Sequence, residues 1–456
     1  MPKTIKSNLF HEPPIQKWHW GYALALQLVR AGVTRFHRIE RVDGLEHITS
    51  HEGPTIFVAN HQNGLMDPLV LCALIGPQQI HWLTRADIFN NRITRALMFG
   101  FNQMPIFRQR DRVADARERN VRIFEICAQR MKIGASIGLF PEGNHRALKS
   151  LRPMRRGVND MVNQALALGP EMRKLRIIPV GIDYEEMTVL RRRLSYRIGA
   201  PIPFEDLINP ETGQIEPGSL LTRIEATLKS LMVDIQPIER YDALLPYVQA
   251  MRTTESTDWN STRQQIERLA SFEEEAFTRI VEASVRLHDS KLLERVRAED
   301  LGHDPADLRP TNAWIWALAP LAVLGGLISW PFSKWIGHQA HKRVKDPCFV
   351  STFKVSVGMF LFPLYWFVLA WPMAYACCGS WGGWPVLGMY LFNLVGSRIA
   401  GWWYGHFQDW QGRRVAKRVW EGDGERPWSA YVAAVQNALN KQPMRSTSKT
   451  ESTPIS

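Results

Sequence analysis

The sequence predicts an α/β domain with a mixed sheet flanked by helices, followed by a helical region and C-terminal membrane helices. Three observations support this prediction. Short apolar runs alternate with helical patterns as far as about residue 205, which is typical of layered α/β domains. Charged helical periodicity then extends from about 218 to 308, and three apolar segments follow. A chain of 456 residues is long enough for two or three domains.

We expect five regions along the chain. They are an interfacial amphipathic N-terminal helix in residues 1–37, the α/β domain in 38–210, a helical connector in 211–310, membrane-embedded helices in 311–404, and a cytoplasmic tail in 405–456. The tail is rich in Ser, Thr and Lys from Pro443 onward, which predicts partial disorder.

The N-terminal segment 15–37 mixes aromatic side chains with basic ones. Gly21, Gln27 and Arg30 interrupt its apolar pattern too strongly for a membrane span. Two interpretations remain open. The segment is either an interfacial helix with snorkelling arginines or an ordinary packing helix.

Each element of the α/β domain follows from a short local pattern. Apolar runs predict strands before the Asp43-Gly44 turn within 36–48, and at 55–59, 80–84, 104–108, 134–140, 176–182 and 196–199. Helical patterns lie between them at 68–74, 90–101, 113–132 and 155–168. Polar clusters follow four of the strands, at the sheet edge where α/β proteins usually place their sites.

The charge balance favours an anionic partner. The net charge is +12, from 56 Lys and Arg against 44 Asp and Glu, which suits a membrane surface or a phosphorylated substrate. We expect no nucleic-acid partner, because zinc-finger spacing, RNP-like motifs and basic-zipper patterns are missing.

The five cysteines lack metal-ligand spacing, and their apolar neighbours predict reduced, buried thiols in a cytoplasmic domain. The N-terminus has no apolar core typical of a signal peptide.

A histidine and an aspartate flank the turn after the second strand. The run 55–59 breaks at Asn60-His61, and Asp67 follows six positions after the histidine. A neutral imidazole can take a proton from a hydroxyl, and a carboxylate can hold its tautomer and stabilise the imidazolium. The alternative is structural: Asp67 is an N-cap residue that precedes Pro68 at the first helical position.

Two further clusters follow strands. Arg108 lies beside Arg110 and Arg112, and a guanidinium suits bidentate phosphate binding, although a solvated basic loop explains the same pattern. Glu142 and Gly143 end another strand, where glycine permits close approach of a ligand and glutamate can hydrogen-bond a hydroxyl. A simple turn is the alternative.

A basic run follows the second cluster and suits either binding of anionic head groups or a solvated helix start. It contains Arg146, Lys149, Arg152, Arg155 and Arg156.

Three apolar segments, 313–332, 355–378 and 381–404, are long enough to span a membrane. More than half of the 17 tryptophans lie here, and tryptophan favours membrane interfaces. The basic loop 333–354 and the basic tail predict that the second and third segments form a hairpin open to the cytoplasm. We expect the first to be a re-entrant or interfacial hairpin, broken at Pro320 or Gly325-Gly326. The alternative has three full spans, with the α/β domain across the membrane from the loop.

The four strand-end clusters together resemble the glycerolipid acyltransferase family, which contains the bacterial lysophosphatidic acid acyltransferases. The resemblance covers about residues 35–205. Asn60-His61 through Asp67 resembles the catalytic block, in a His-x5-Asp variant, and implies that His61 and Asp67 are catalytic. The segment 105–108 resembles the second block and implies that Arg108 binds the acceptor phosphate.

The segment 140–143 resembles the third block, which implies acceptor-binding roles for Glu142 and Gly143. The Thr-Arg-Ser that usually follows is replaced here by Asn144-His145-Arg146. Asn144 keeps the hydrogen-bonding capacity of threonine. The family's arginine has no direct match here, and Arg146 and Lys149 are the candidates to substitute for it.

The fourth block resembles Ile178-Pro179-Val180 with Tyr184, and it is linked to the acyl-chain side. The catalytic block departs from the usual spacing, because five residues instead of four separate the histidine from the aspartate. On a continuous helix these side chains would point about 120° apart. They can meet only if His61 lies on the loop and the turn 62–65, around Gly64, absorbs the extra residue.

The resemblance implies an O-acyltransferase of phospholipid biosynthesis, bound to the cytoplasmic membrane with its α/β domain on the cytoplasmic side. It would move a fatty acyl chain from acyl-CoA or acyl carrier protein to a lysophospholipid hydroxyl, as in 1-acylglycerol 3-phosphate. No metal and no cofactor besides the donor are implied. Two alternatives remain: another acceptor, such as glycerol 3-phosphate or another lysolipid, or a catalytically inactive membrane-anchored lipid-binding protein.

Overall fold

The computed structural model describes residues 20–49, 53–75, 79–108, 113, 115–251, 259–302, 314–379, 381–421 and 425–441. The chain divides into two compact units. The first unit comprises Met1–Val233 and Trp314–Gly405, and the second comprises Asp234–Ala313 and His406–Ser456.

The first unit is built on a mixed seven-stranded sheet, as the sequence predicts. Its strands are β1 (Arg38–Asp43), β2 (Thr55–Ala59), β3 (Ile80–Arg85), β4 (Met104–Ile106), β5 (Ser136–Leu139), β6 (Arg176–Tyr184) and β7 (Arg193–Ile198). The strand order is β1-β7-β6-β2-β5-β3-β4, and only the β6–β7 pair is antiparallel. Strand β2 is central, so the loop that follows it starts in the middle of one sheet edge.

Helices cover the sheet on both faces. The first unit contains α1 (Trp20–Phe36), α2 (Glu46–Thr49), α3 (Met66–Leu74), α4 (Arg92–Gly100), α5 (Ala116–Lys132), α6 (Gly157–Leu166) and α7 (Pro217–Leu231). All five residues of β2 are buried, and alternate residues enter different cores. Ile56 and Val58 pack with residues of α5, α6 and α7, whereas Phe57 and Ala59 pack with residues of α1 and α3. The central strand is therefore held between two layers of helices.

The α/β domain extends past its predicted end at residue 210. Helix α7 packs against β6, where a Cβ added to Gly181 would lie 2.3 Å from the Leu231 carbonyl oxygen. The predicted start of the connector at 211 is therefore wrong, because α7 completes the first unit.

One face of α1 is a packing surface. Tyr22, Leu26, Val33 and Phe36 are buried, and Val33 and Phe36 belong to the core that also contains Val355 from the C-terminal helices. The packing-helix interpretation therefore holds for this face. Trp20 is 82% exposed and lies on the outer side. The interfacial role of the outer side stays a prediction.

The C-terminal part of the first unit is helical. It contains α13 (Trp314–Arg343), α14 (Val350–Cys378) and the N-terminal part of α15 (Trp384–Trp420). Among the residues that the structure describes, two helices are long and apolar enough to cross a membrane, Trp314–Arg343 and Pro347–Cys378. The helix that contains the third predicted segment does not meet that criterion, because Asn393, Arg398 and several glycines lower its hydropathy.

The expected break in the first apolar segment is wrong. Helix α13 is continuous across Pro320 and across the glycine pair. A Cβ added to Gly325 would lie 2.3 Å from the Gly396 carbonyl oxygen of α15. Close approach of two helices explains this glycine, because small residues let helix backbones come together.

The second unit is helical, as predicted for the connector. It consists of α8 (Tyr241–Met251), α9 (Trp259–Ala270), α10 (Glu274–Asp289), α11 (Leu292–Arg295) and α12 (Ala298–Leu301), joined by the end of α15 and by α16 (Glu425–Lys441). Tyr431 of α16 is buried and donates a 2.6 Å hydrogen bond to the Ala243 carbonyl oxygen of α8. Most of the predicted tail is therefore part of a packed domain. The segment predicted to be disordered, from Pro443, lies outside the described residues.

The cysteines are all free, but they are not all buried. Cys127 and Cys348 are buried, whereas Cys377 and Cys378 are exposed at the end of α14. The prediction of uniformly buried thiols is wrong because the α14 terminus is not covered within the described part of the first unit.

Candidate active site

His61 and Asp67 meet across the turn that follows β2. The His61 Nδ1 atom lies 2.8 Å from Asp67 Oδ2. His61 precedes α3, and the intervening turn contains Gly64 with φ +47° and a hydrogen bond from the Met66 N–H to the Asn63 carbonyl oxygen. The predicted turn at 62–65 therefore absorbs the extra residue. Glycine suits this turn because it adopts positive φ without steric cost.

The Asp67 carboxylate is completely buried and has four hydrogen-bonding partners. Besides His61, Oδ2 accepts from the backbone N–H groups of Gln62 at 2.9 Å and Asn63 at 2.8 Å. The Tyr184 hydroxyl donates to Oδ1 at 2.7 Å. An ionised carboxylate only accepts, so Nδ1 of His61 carries the proton and Nε2 keeps its lone pair.

The predicted N-cap role of Asp67 is wrong. Helix α3 begins earlier, with Leu65 at the N-cap position and Asp67 inside the first turn. Pro68 therefore follows the first helical position instead of occupying it. The carboxylate organises the preceding turn through the two backbone N–H groups, so its structural role and its contact with His61 coexist.

The loop after β5 clamps His61 from the other side. The His61 ring stacks on Phe140, with ring centroids 4.0 Å apart and an interplanar angle of 13°. The backbone N–H of His61 donates to Glu142 Oε1 at 2.6 Å, and its carbonyl oxygen accepts from the Arg146 N–H at 3.1 Å. Phe140 thus contacts one face of the imidazole, and two hydrogen bonds hold the backbone of His61.

Glu142 is buried and accepts a hydrogen bond from the His61 backbone. Its second oxygen, Oε2, accepts from the Arg152 backbone N–H at 3.3 Å, so both oxygens are engaged. Burial raises the pKa of this carboxyl group to about 7, although the two backbone hydrogen bonds oppose the shift. Gly143 has φ +69° and closes a turn onto the Phe140 carbonyl oxygen at 3.0 Å. The predicted direct contact of Glu142 with an acceptor hydroxyl is therefore replaced by a positioning role.

An open cleft of about 330 Å³ lies beside the pair. Its lining combines basic, polar and aromatic side chains: Arg85, Arg108, Asn144, His145, Asp346 and Phe349. The structure thus places Arg108 and Asn144 where the sequence predicts them. The His145 ring stands edge-on to the His61 ring, with centroids 5.5 Å apart. Arg110 and Arg112 lie outside the described residues.

Besides Glu142 and Gly143, three predicted site residues do not line the cleft. The Arg146 guanidinium contacts the Ser150 hydroxyl at 3.3 Å. Lys149 is buried and forms an ion pair with Asp183. Tyr184 is buried, and its hydroxyl donates a hydrogen bond to the Asp67 carboxylate. Its predicted place on the acyl-chain side stays a prediction. Burial, together with the adjacent Asp67 charge, raises the pKa of Tyr184 well above 10.

Several residues of the site were not predicted from the sequence. The Asn60 side chain bridges β2 to β6 by accepting from the Ile182 N–H at 2.7 Å and donating to its carbonyl oxygen at 2.9 Å. In the sequence, only its position directly before His61 indicated that Asn60 belongs to the site. His145 was visible only as a replacement within the third block. Asp346 and Phe349 belong to no motif and lie far along the chain.

His145, Asp346 and Cys348 form the one group of potential metal ligands within the described residues. Their ligand atoms lie within 4.8 Å of one another. The group already has internal partners, because Asp346 contacts His145 Nε2 at 3.0 Å through Oδ2 and accepts from the Cys348 N–H at 3.0 Å through Oδ1.

The Tyr184→Phe substitution should remove the hydrogen bond that the Tyr184 hydroxyl donates to Asp67. We expect the free energy of unfolding to fall by about 1.5–3 kcal/mol, as for the loss of a hydrogen bond to a charged group. Denaturant unfolding measures this change. Tyr196→Phe is the matched control, since Tyr196 is also buried but its hydroxyl has no hydrogen-bond partner among the described residues. Equal losses in the two variants would contradict the role of the Tyr184 hydroxyl.

Comparisons with known proteins agree with this site. A family model described as Acyltransferase matches residues 39–183, a segment that includes His61, Asp67, Arg108 and Glu142. The chain is 26% identical over 137 residues to Glycerol-3-phosphate O-acyltransferase 2 of Saccharomyces cerevisiae. That match covers 29% of this chain and 18% of the yeast protein.

Among solved structures, the chain is similar to the 1-acyl-sn-glycerophosphate acyltransferase PlsC of Thermotoga maritima. The identity is 15% and the TM-score is 0.31, with coverage of 45% of this chain and 78% of that one. The family match covers β1 to β5 and nearly all of β6, together with the turn that carries the His-Asp pair. Residues 39–183 thus match the Acyltransferase family model, and within the chain the comparisons point to similarity with glycerolipid acyltransferases.

Proposed function

We propose that this protein is a membrane-bound O-acyltransferase. It transfers a fatty acyl chain from an acyl thioester to a hydroxyl of a glycerol phosphate acceptor, either 1-acylglycerol 3-phosphate or glycerol 3-phosphate. The observation that supports this proposal is the His61–Asp67 hydrogen bond at the edge of a cleft that contains two arginines. The same hydrogen bond argues against a non-catalytic lipid-binding protein, because that alternative requires the inserted residue to separate the pair.

The proposed reaction needs one base and no covalent enzyme intermediate. His61 Nε2 takes the proton of the acceptor hydroxyl as the oxygen attacks the thioester carbonyl carbon. Asp67 stabilises the resulting imidazolium. The tetrahedral intermediate then collapses, the carbon–sulfur bond breaks, and the leaving thiolate takes the proton from His61. An oxygen ester and a free thiol are formed, and His61 returns to its neutral form.

The two arginines of the cleft are suited to an acceptor phosphate. Arg85 and Arg108 come from the ends of β3 and β4, which pair in parallel and therefore finish at the same sheet edge. Arg85 already binds Asp87 at 2.6 Å, and Arg108 lies 4.0 Å from the same carboxylate. A phosphate would join this cluster through charge-assisted hydrogen bonds.

One observation favours glycerol 3-phosphate over its acylated form. Five of the six residues that line the cleft are polar or charged, and Phe349 is the exception. A small hydrophilic acceptor suits such a lining better than a lysophospholipid does. The yeast relative is itself named a glycerol-3-phosphate O-acyltransferase.

Membrane association is supported by α13 and α14. The loop between them carries Asp346, which lines the cleft, so this loop and the acyltransferase domain lie on the same side of any membrane that these helices enter. This contact argues against the alternative that puts the domain across the membrane from the loop. Because the loop is basic, the positive-inside rule favours the cytoplasmic side.

An acceptor and donor panel tests the proposed function. Full-length protein in detergent micelles is offered radiolabelled acyl-CoA or acyl carrier protein, with glycerol 3-phosphate or 1-acylglycerol 3-phosphate as acceptor. We expect a labelled lysophosphatidate or phosphatidate product that depends on the added acceptor. If neither phosphate acceptor is acylated with either donor, the proposal is wrong.

The Arg108→Ala substitution should weaken acceptor binding selectively. Loss of a charge-assisted contact predicts a rise of about 10–100-fold in KM for the phosphate acceptor, with KM for the donor nearly unchanged. Arg108→Lys should recover part of the loss, since it keeps the charge but not the bidentate geometry. Arg122→Ala, on the exposed side of α5, is the control. An unchanged acceptor KM in Arg108→Ala would favour a non-phosphate acceptor.

A further inference from the structure

We propose that the segment Asp346–Ser351, which comprises the loop before α14 and the first two residues of that helix and is called the loop below, forms part of the acceptor site, and that Asp346 binds the acceptor hydroxyl that is not acylated. This inference rests on the proposed function and adds a residue from outside the matched family segment.

The loop docks on the turn between His61 and Asp67. The Ser351 hydroxyl donates to Asn63 Oδ1 at 2.8 Å, and both residues are completely buried. Gly64 lies directly against the loop, because an added Cβ would be 2.7 Å from the Cys348 carbonyl oxygen and 3.0 Å from the Phe349 ring. The turn that absorbs the extra residue of the catalytic block therefore also receives this loop.

His145 connects the loop to the catalytic imidazole. Its Nε2 lies 3.0 Å from Asp346 Oδ2, and its ring stands edge-on to Phe349 with centroids 4.8 Å apart. The same ring stands edge-on to His61 at 5.5 Å. Asp346 is thus held one side chain away from the proposed base, on the cleft side.

The position of Asp346 fits a hydroxyl. Its side chain is 48% exposed, whereas that of His145 is only 13% exposed, so the carboxylate is the accessible member of the pair. A carboxylate repels phosphate and accepts hydrogen bonds from hydroxyl groups. The two arginines of the same lining, Arg85 and Arg108, attract the phosphate. The lining therefore offers guanidinium groups to a phosphate and a carboxylate to a separate free hydroxyl.

This arrangement distinguishes between the two proposed acceptors. Glycerol 3-phosphate has two hydroxyls, so one remains available to Asp346 while the other is acylated. The 1-acylated compound has a single hydroxyl, which is consumed by the reaction. A buried or half-buried acceptor group left without its donor costs binding free energy, which produces discrimination.

The test compares kcat/KM for glycerol 3-phosphate with kcat/KM for 1-acylglycerol 3-phosphate in the full-length protein. Asp346→Ala should lower this ratio about tenfold, the loss of about 1.4 kcal/mol of discrimination. Asp346→Asn should lower it less, since its amide oxygen still accepts from the Cys348 N–H and preserves the local fold. Lys345→Ala, an exposed neighbour that does not line the cleft, should leave the ratio unchanged.

Each outcome separates the inference from the proposed function. An unchanged ratio in Asp346→Ala, with activity retained, overturns the role of Asp346 and leaves the acyltransferase proposal intact. A wild-type protein that uses only the 1-acylated acceptor also overturns the inference alone. Absence of transfer to both acceptors in the wild type overturns the proposed function itself. Thermal unfolding of the variants identifies a loss that comes from misfolding.

Discussion

The His61→Ala substitution is expected to lower kcat for acyl transfer by about 10²–10⁴-fold, the usual contribution of a general base. The reason is that the hydrogen bond to Asp67 occupies Nδ1 of His61, which leaves the lone pair of Nε2 available as a base beside the cleft. The substitution removes this base and keeps the backbone N–H that donates to Glu142. The measurement is the rate of product formation from radiolabelled acyl-CoA at saturating acceptor.

A second histidine supplies the control for this prediction. His47 lies in α2, has a partly exposed side chain and does not line the cleft. His47→Ala should therefore retain wild-type kcat. Equal rates of transfer by His61→Ala and the wild type would exclude His61 as the base, whatever the fold of the domain.

The Asp67→Asn substitution is expected to lower kcat by about 10²–10⁴-fold as well, because a neutral amide cannot stabilise the imidazolium. The amide oxygen can still accept from the backbone N–H groups of Gln62 and Asn63, so the turn should be retained. We expect a loss of about 1–3 kcal/mol in the free energy of unfolding from the poorer match to the four donors. Steady-state kinetics and denaturant unfolding measure the two effects separately.

Two further variants make this prediction specific. Asp160→Asn, on α6 and paired with Arg156, changes a carboxylate outside the cleft and should leave kcat unchanged. The double variant His61→Ala/Asp67→Asn should be hardly slower than His61→Ala alone, because residues that act as a unit are not additive. A kcat of Asp67→Asn close to that of the wild type would show that the carboxylate serves only the turn.

Much of the α/β domain could be predicted from local sequence patterns. Strand β2 is an unbroken apolar run because both of its faces are buried, and this pattern is typical of a central parallel strand. The His61–Asp67 contact was predictable for a similar reason. A strand end fixes the histidine, and Gly64 provides the one backbone conformation that can absorb an extra residue.

The remaining site residues could not be predicted, because their roles depend on contacts between distant segments. The hydrogen bond from Tyr184 to Asp67 requires β6 to lie beside β2, and no local pattern specifies that pairing. Glu142 faces the His61 backbone because the loop after β5 folds over the turn. Helix α13 was predicted to break because proline and glycine disfavour helices locally, whereas its packing against α15 allows Gly325 within a continuous helix.

The attachment of Ser351 to Asn63 has a consequence for engineering. Recognisable family sequence ends at residue 183, which invites treatment of the domain as a portable module. A fragment cut at that boundary would lose the Tyr184 hydroxyl from Asp67 and the Ser351 hydroxyl from Asn63. Transplanting this turn into another protein would therefore require α14 and the loop before it as well, since the residues that hold the turn are far apart along the chain.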